Sequence, residues 1–181
     1  MKNMTFTFLI IALFPLTAAS AFSQEKPYTA AEAFEALKGI AGEWSTVTHQ
    51  VPVGMTREDV MPREGHLSYR VIGNGSAIMG TYFAGTPMEM ISLYHQDGPD
   101  ALYEAHYCAF QNQPVLSFVP SQEPGVIDLR YVRGTNMDVN KDPHVHGNIF
   151  RIIDADHFEL DTIQWRNGKR ELVSHIVLTR Q

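Results

Sequence analysis

His144 and His146 stand one residue apart in the run Pro143-His144-Val145-His146. On an extended strand both imidazoles fall on the same face, about 6.6 Å apart at a rise of roughly 3.3 Å per residue. Two imidazoles on one face can chelate a metal. A catalytic zinc needs three protein ligands and an open fourth position, so a third ligand would have to come from another strand, with His106 the first candidate and His175 the second. Glu104 and Cys108 alternate with His106 onto one face. A buried Glu104 beside His106 would make an acid/base pair with a raised carboxyl pKa. A single barrel histidine can also serve as the proximal ligand of a haem. His106, His144 and His146 are the candidates, and the chain has no Cys-x-x-Cys-His attachment motif. Against all of these stands a simpler reading. His-x-His is a short pattern in a chain with eight histidines, and polar strand residues bonded to nearby carbonyls would produce it equally well. Zinc and haem are therefore kept as alternatives, with the cofactor left open.

Other chemistry is easier to exclude. Asp138, Asn140 and Asp142 alternate like the opening of a calcium loop, but Pro143 occupies the turn glycine's place and Ile149 that of the bidentate glutamate. A solvated turn is expected there. The chain contains no Gly-x-Ser-x-Gly elbow, His-Glu-x-x-His, P-loop or dinucleotide fingerprint, so catalysis has no motif to support it. With 20 acidic against 14 basic residues and a formal charge of −6, the chain lacks the clustered Lys and Arg that counterion release from nucleic acid requires. Cys108 is the single cysteine, which rules out an intramolecular disulfide.

The elements that must position these residues are legible from punctuation and period. Lys2 followed by the apolar stretch from Phe6 to Leu16, with small residues around Ala19 to Ser23, has the form of a secretory signal over residues 1–23. An exported chain in the periplasm or extracellular space is expected, without a membrane span, since the apolar stretch is too short. Residues 24–42 form an N-terminal segment in which Thr29-Ala30-Ala31-Glu32 is a capping box. The spacing of Ala33, Phe34, Leu37 and Ile40 predicts a short amphipathic helix, with Gly39 and Gly42 as stop signals. From residue 43 to 181 the period changes to two. Ten strands are predicted at 43–50, 65–73, 76–83, 87–96, 101–110, 113–120, 125–132, 144–153, 157–165 and 169–179, with hairpin signals at Asn74-Gly75, Asp97-Gly98 and Asn167-Gly168. In the 87–110 hairpin, Met88, Met90, Ser92, Tyr94, Tyr103, Ala105 and Tyr107 are read as one face. Ile91, Leu93, His95, Leu102, Glu104, His106 and Cys108 are read as the other.

Hairpin-rich order favours a closed barrel over a sandwich. The approach Leu37-Lys38-Gly39-Ile40-Ala41 into Gly42-Glu43-Trp44 resembles the Gly-x-Trp opening of lipocalin-like barrels. Further segments, such as Val71-Ile72-Gly73-Asn74-Gly75-Ser76 and His106-Tyr107-Cys108, resemble exported bacterial proteins of unknown function. The resemblance implies an all-β, antiparallel up-and-down lipocalin-like barrel of about eight to ten strands with one short N-terminal helix. The expected function is binding of a small apolar or amphipathic molecule in the lumen, with Tyr94, Glu104, His106, Cys108 and Trp165 as candidate ligand contacts. A metal- or haem-dependent small enzyme using His106, His144 and His146 is the first alternative. A structural protein that meets its partner through the outer surface is the second.

Overall fold

A computed structural model describes residues 27–181; the expected signal over 1–23 lies outside the described residues. The capping box forms as its residues require. Thr29 Oγ1 accepts from the Glu32 amide at 3.2 Å, Glu32 Oε2 accepts from the Thr29 amide at 2.7 Å, and helix α1 runs Ala30–Gly39. Its apolar stripe Ala30, Ala33, Phe34 and Leu37 is buried, and the helix packs against the strands Met90–Gln96 and Leu102–Tyr107.

Ten strands follow in chain order: β1 Gly42–Pro52, β2 Arg63–Ile72, β3 Ala77–Tyr82, β4 Met90–Gln96, β5 Leu102–Tyr107, β6 Gln113–Val119, β7 Val126–Thr135, β8 His144–Ile152, β9 His157–Arg166 and β10 Lys169–Arg180. Each pairs antiparallel with its sequence neighbour, and β1 also pairs with β10, so the sheet closes into a ten-stranded barrel. Closure removes the edges on which open sheets aggregate. The Asn-Gly turns adopt the expected left-handed geometry, with φ of 53° at both Asn74 and Asn167.

Alternation divides the lumen lengthwise. Near α1, inward side chains pack solidly: Trp44 of β1, Tyr69 of β2, Phe150 of β8, Phe158 and Leu160 of β9 and Leu178 of β10 are buried in one cluster with the helix. The Trp44 and Phe158 rings meet edge to face at 4.7 Å. Further along the same strands the inward positions become Thr46, Thr48 and Gln50 on β1, Thr162 and Gln164 on β9, and Ser174 and Ile176 on β10, and these line an internal cavity. One half of the barrel is core and the other half is space.

Arg180 fastens the closed end. Its guanidinium lies 4.4 Å over the Trp44 ring, donates to the Ala41 and Gly39 carbonyls at 2.9 and 3.1 Å, and so satisfies acceptors left over at the end of α1. Gly42, with φ of 145°, makes room for it, because a Cβ there would stand 2.5 Å from Arg180 Nη1. The Gly-x-Trp element thus has a local cause: glycine admits the arginine that stacks on the tryptophan.

Two expectations about faces are corrected. In the β4–β5 hairpin Ser92 pairs with His106 and Tyr94 with Glu104. Directly opposed residues share a face, so Ser92 and Tyr94 belong with Leu102, Glu104 and His106, and not with Tyr103 and Tyr107. The five-residue connection 97–101 sets this register, closed by the Asp97 amide on the Ala101 carbonyl at 3.0 Å. On β8, Val145 pairs with Gln164 and Gly147 with Ile163, which leaves His146 as an extra residue in a β-bulge. A bulge breaks strict alternation. His144 and His146 are therefore not simple same-face neighbours on a regular strand.

Candidate functional site

The cavity has a volume of about 490 Å³. Its apolar wall includes Leu67, Tyr82, Met90, Phe110, Val145 and Ile176, while His106 and Asn148 bring buried polar groups into the same wall.

That polar layer is built from three strands. Glu104 on β5 is fully buried, at 0% exposure. Asn148 on β8 donates its amide to both carboxyl oxygens, at 2.9 and 2.8 Å. Ser92 on β4 donates to Glu104 Oε1 at 2.7 Å and lies 2.9 Å from His106 Nδ1. A serine hydroxyl has a single proton. With that proton on Glu104, Ser92 Oγ must accept from His106, which places the imidazole proton on Nδ1 and leaves Nε2 as a bare lone pair. His106 Nε2 and Asn148 Oδ1 are both buried and have no hydrogen-bond partner among the described residues. Both are acceptors, and both belong to the Glu104 cluster.

Burial raises the Glu104 pKa, partly offset by the hydrogen bonds from Asn148, Ser92 and Tyr94. None of those partners carries positive charge. Burial alone lowers the His106 pKa to about 4, so the ring is neutral near pH 7. Beneath the cluster, the hydroxyls of Tyr69, Tyr82 and Tyr94 form a buried ladder with steps of 3.4 and 3.0 Å. Desolvation pushes Tyr82 up to about 12 and the other two well above 10.0. The phenols are fixed as neutral dipoles.

The expected site residues separate into three places. Glu104, His106 and Ser92 are joined in the polar layer. Cys108 lines the cavity with His106, its Sγ 3.7 Å from Met90 Sδ and its thiol pKa raised by burial. Tyr94 lies in the packed half, fully buried. Trp165 does not line the cavity; its ring stacks on His146 at 3.8 Å. On the other side of His146, Tyr131 stacks at 4.9 Å.

His144 and His146 form their own pair. His144 Nδ1 must donate to the Asp142 carbonyl, 2.8 Å away, so its Nε2 accepts from His146 Nδ1 at 3.0 Å. Burial and the neighbouring His144 lower the His146 pKa to about 4. His175 is bonded to Asp161, which also binds Arg151 at 2.7 Å. Among the described residues no group of three or more His, Cys, Asp or Glu side chains is arranged to hold a metal ion. The Asp138 loop closes on itself, with Asp142 accepting from the Asp138 amide at 2.7 Å and Asp138 paired to Lys141 at 3.0 Å.

Ser92 and Asn148 are not legible in the sequence. The expected faces put Ser92 opposite Glu104, and only the hairpin register brings them together. Asn148 lies on another strand and reaches Glu104 through barrel closure; the signal in sequence was no more than an asparagine in an apolar strand.

No known family model matches the chain, and no curated protein matches it. Among solved structures it is similar to a protein of unknown function from the DUF3598 family of Nostoc punctiforme PCC 73102, with a TM-score of 0.57 and 11% identity over 87% of this chain and 51% of that one. The chain therefore spans about half the length of that protein. It is also similar to Rv2717c from M. tuberculosis, with a TM-score of 0.55 and 16% identity over 83% of this chain and 98% of that one. At these identities the likeness is one of fold alone.

Proposed function

We propose that this is a lipocalin-like carrier or receptor barrel, acting after export in the periplasm or outside the cell, that holds one small amphipathic molecule in its lumen. The cavity carries the reading: about 490 Å³, with more apolar than polar surface although Thr46, Gln50, Gln164 and Ser174 also line it, and with two buried acceptors that have no partner among the described residues. Ligand pockets combine apolar walls with a few convergent polar groups at this scale of volume. A core built only for stability would fill such a space, because interiors pack to crystal-like density. Leaving buried acceptors without partners is also costly. Native mass spectrometry on protein purified from its source compartment tests this, with a retained small-molecule mass expected on a 1:1 complex. A species that stays free of ligand through extraction and through screening with apolar and amphipathic compounds contradicts it.

A second reading rests on His106 Nε2 alone. A single free imidazole nitrogen suits the proximal position of a haem, whereas zinc requires several protein ligands, and His144 and His146 are engaged with each other. On this reading hemin addition gives a Soret shift that His106→Ala abolishes; an unshifted Soret band in the unsubstituted protein rejects it.

A further inference from the structure

The cavity's polar end has a directional chemistry. Every donor in the Glu104 cluster is turned toward the carboxylate or toward Ser92: the Asn148 amide, the Ser92 and Tyr94 hydroxyls and the His106 Nδ1 proton. What is left over is acceptor only, His106 Nε2 and Asn148 Oδ1. Asn148 cannot profitably turn over, since its carbonyl would then face the two carboxyl oxygens that its amide now serves. A polar head that engages both of these acceptors must therefore bring hydrogens, at least two of them. A hydroxyl has one and satisfies one acceptor. A carboxylate brings none and adds negative charge beside Glu104. An ammonium brings three and meets a buried carboxylate whose hydrogen-bond partners are all neutral.

Resting on the lumen-binding reading above, we propose that the barrel selects amphipathic molecules that end in a primary amine, bound as the ammonium, which donates to His106 Nε2 and Asn148 Oδ1 beside the Glu104 carboxylate. The alkyl or aryl body lies against Leu67, Met90, Val145 and Ile176. Among the described residues, the formally charged side chains that line the cavity are Arg63 and Glu64 of β2. Both are exposed and of opposite sign, so they do not reverse the preference set by Glu104.

Octylamine, 1-octanol and octanoate share a chain and differ in the head, and calorimetric titration of each into the intact protein at pH 7 separates the possibilities. Octylamine is expected to bind at least about tenfold more tightly than 1-octanol, with octanoate weakest. In Glu104→Gln, octylamine is expected to lose about tenfold while 1-octanol changes by less than about twofold. If that variant does not fold, the head-group order in the unsubstituted protein still decides. Equal affinity for all three, or a preference for octanoate, overturns the ammonium assignment while leaving lumen binding intact. Failure of all three to bind overturns both.

Discussion

At the scale of single residues, neutrality is imposed by burial. His106 is folded into a site where its pKa is lowered to about 4 against an ordinary 6.5. Between those values the unfolded chain binds a proton that the folded one refuses, so stability rises with pH across that window and is lost on acidification. The full shift corresponds to about 3 kcal/mol. Thermal melts should fall steadily from about pH 6.5 toward 4, and His106→Gln should flatten that slope, leaving the part due to His146; an unchanged slope would contradict the burial argument. Glu104 acts with the opposite sign, because its raised pKa makes ionisation above the ordinary 4.5 a cost to the fold. Ser92→Ala removes one donor from that carboxyl and strands His106 Nδ1, a loss of about 1–3 kcal/mol in denaturant unfolding. Residue types here were readable in the sequence, including Glu104, His106 and Cys108 as neighbours on one face. Their hydrogen-bond partners were not, since Ser92 and Asn148 come from other strands.

Individual elements were the most legible level. The capping box of α1 and the Asn-Gly turns are local chemistry, in which a hydroxyl or a tolerated positive φ acts within four residues. All ten strands were expected close to where they stand, because alternation over six or more residues is a strong signal. Register was the weaker point. The Ser92–His106 pairing depends on the 97–101 connection, and the bulge at His146 inserts one residue into β8; a single step changes which face a side chain occupies. Arg180→Ala tests the element-level fastening, since it removes the stack on Trp44 and two bonds to the end of α1. A loss of about 1–2 kcal/mol is expected, together with faster hydrogen exchange in α1. Unchanged exchange in α1 would show that the arginine does not hold the helix down.

For the whole molecule, the decisive property is the unequal filling of the barrel. Leu37, Phe34, Trp44 and Phe158 close one half, and Leu37→Ala is expected to cost about 2–5 kcal/mol as a core cavity. The other half keeps about 490 Å³ of space, so filling it should be tolerated. Sequence composition could announce a barrel but not a hollow one, because lumen volume follows from ten strands closing together with a helix at one end. Saturation binding of the fluorescent apolar probe N-phenyl-1-naphthylamine to the protein, compared with Ile176→Trp, tests the lumen claim most directly. One saturable site is expected, weakened at least about tenfold by the added indole with the melting temperature maintained. A probe that binds without saturation, or equally well to the filled barrel, would contradict it.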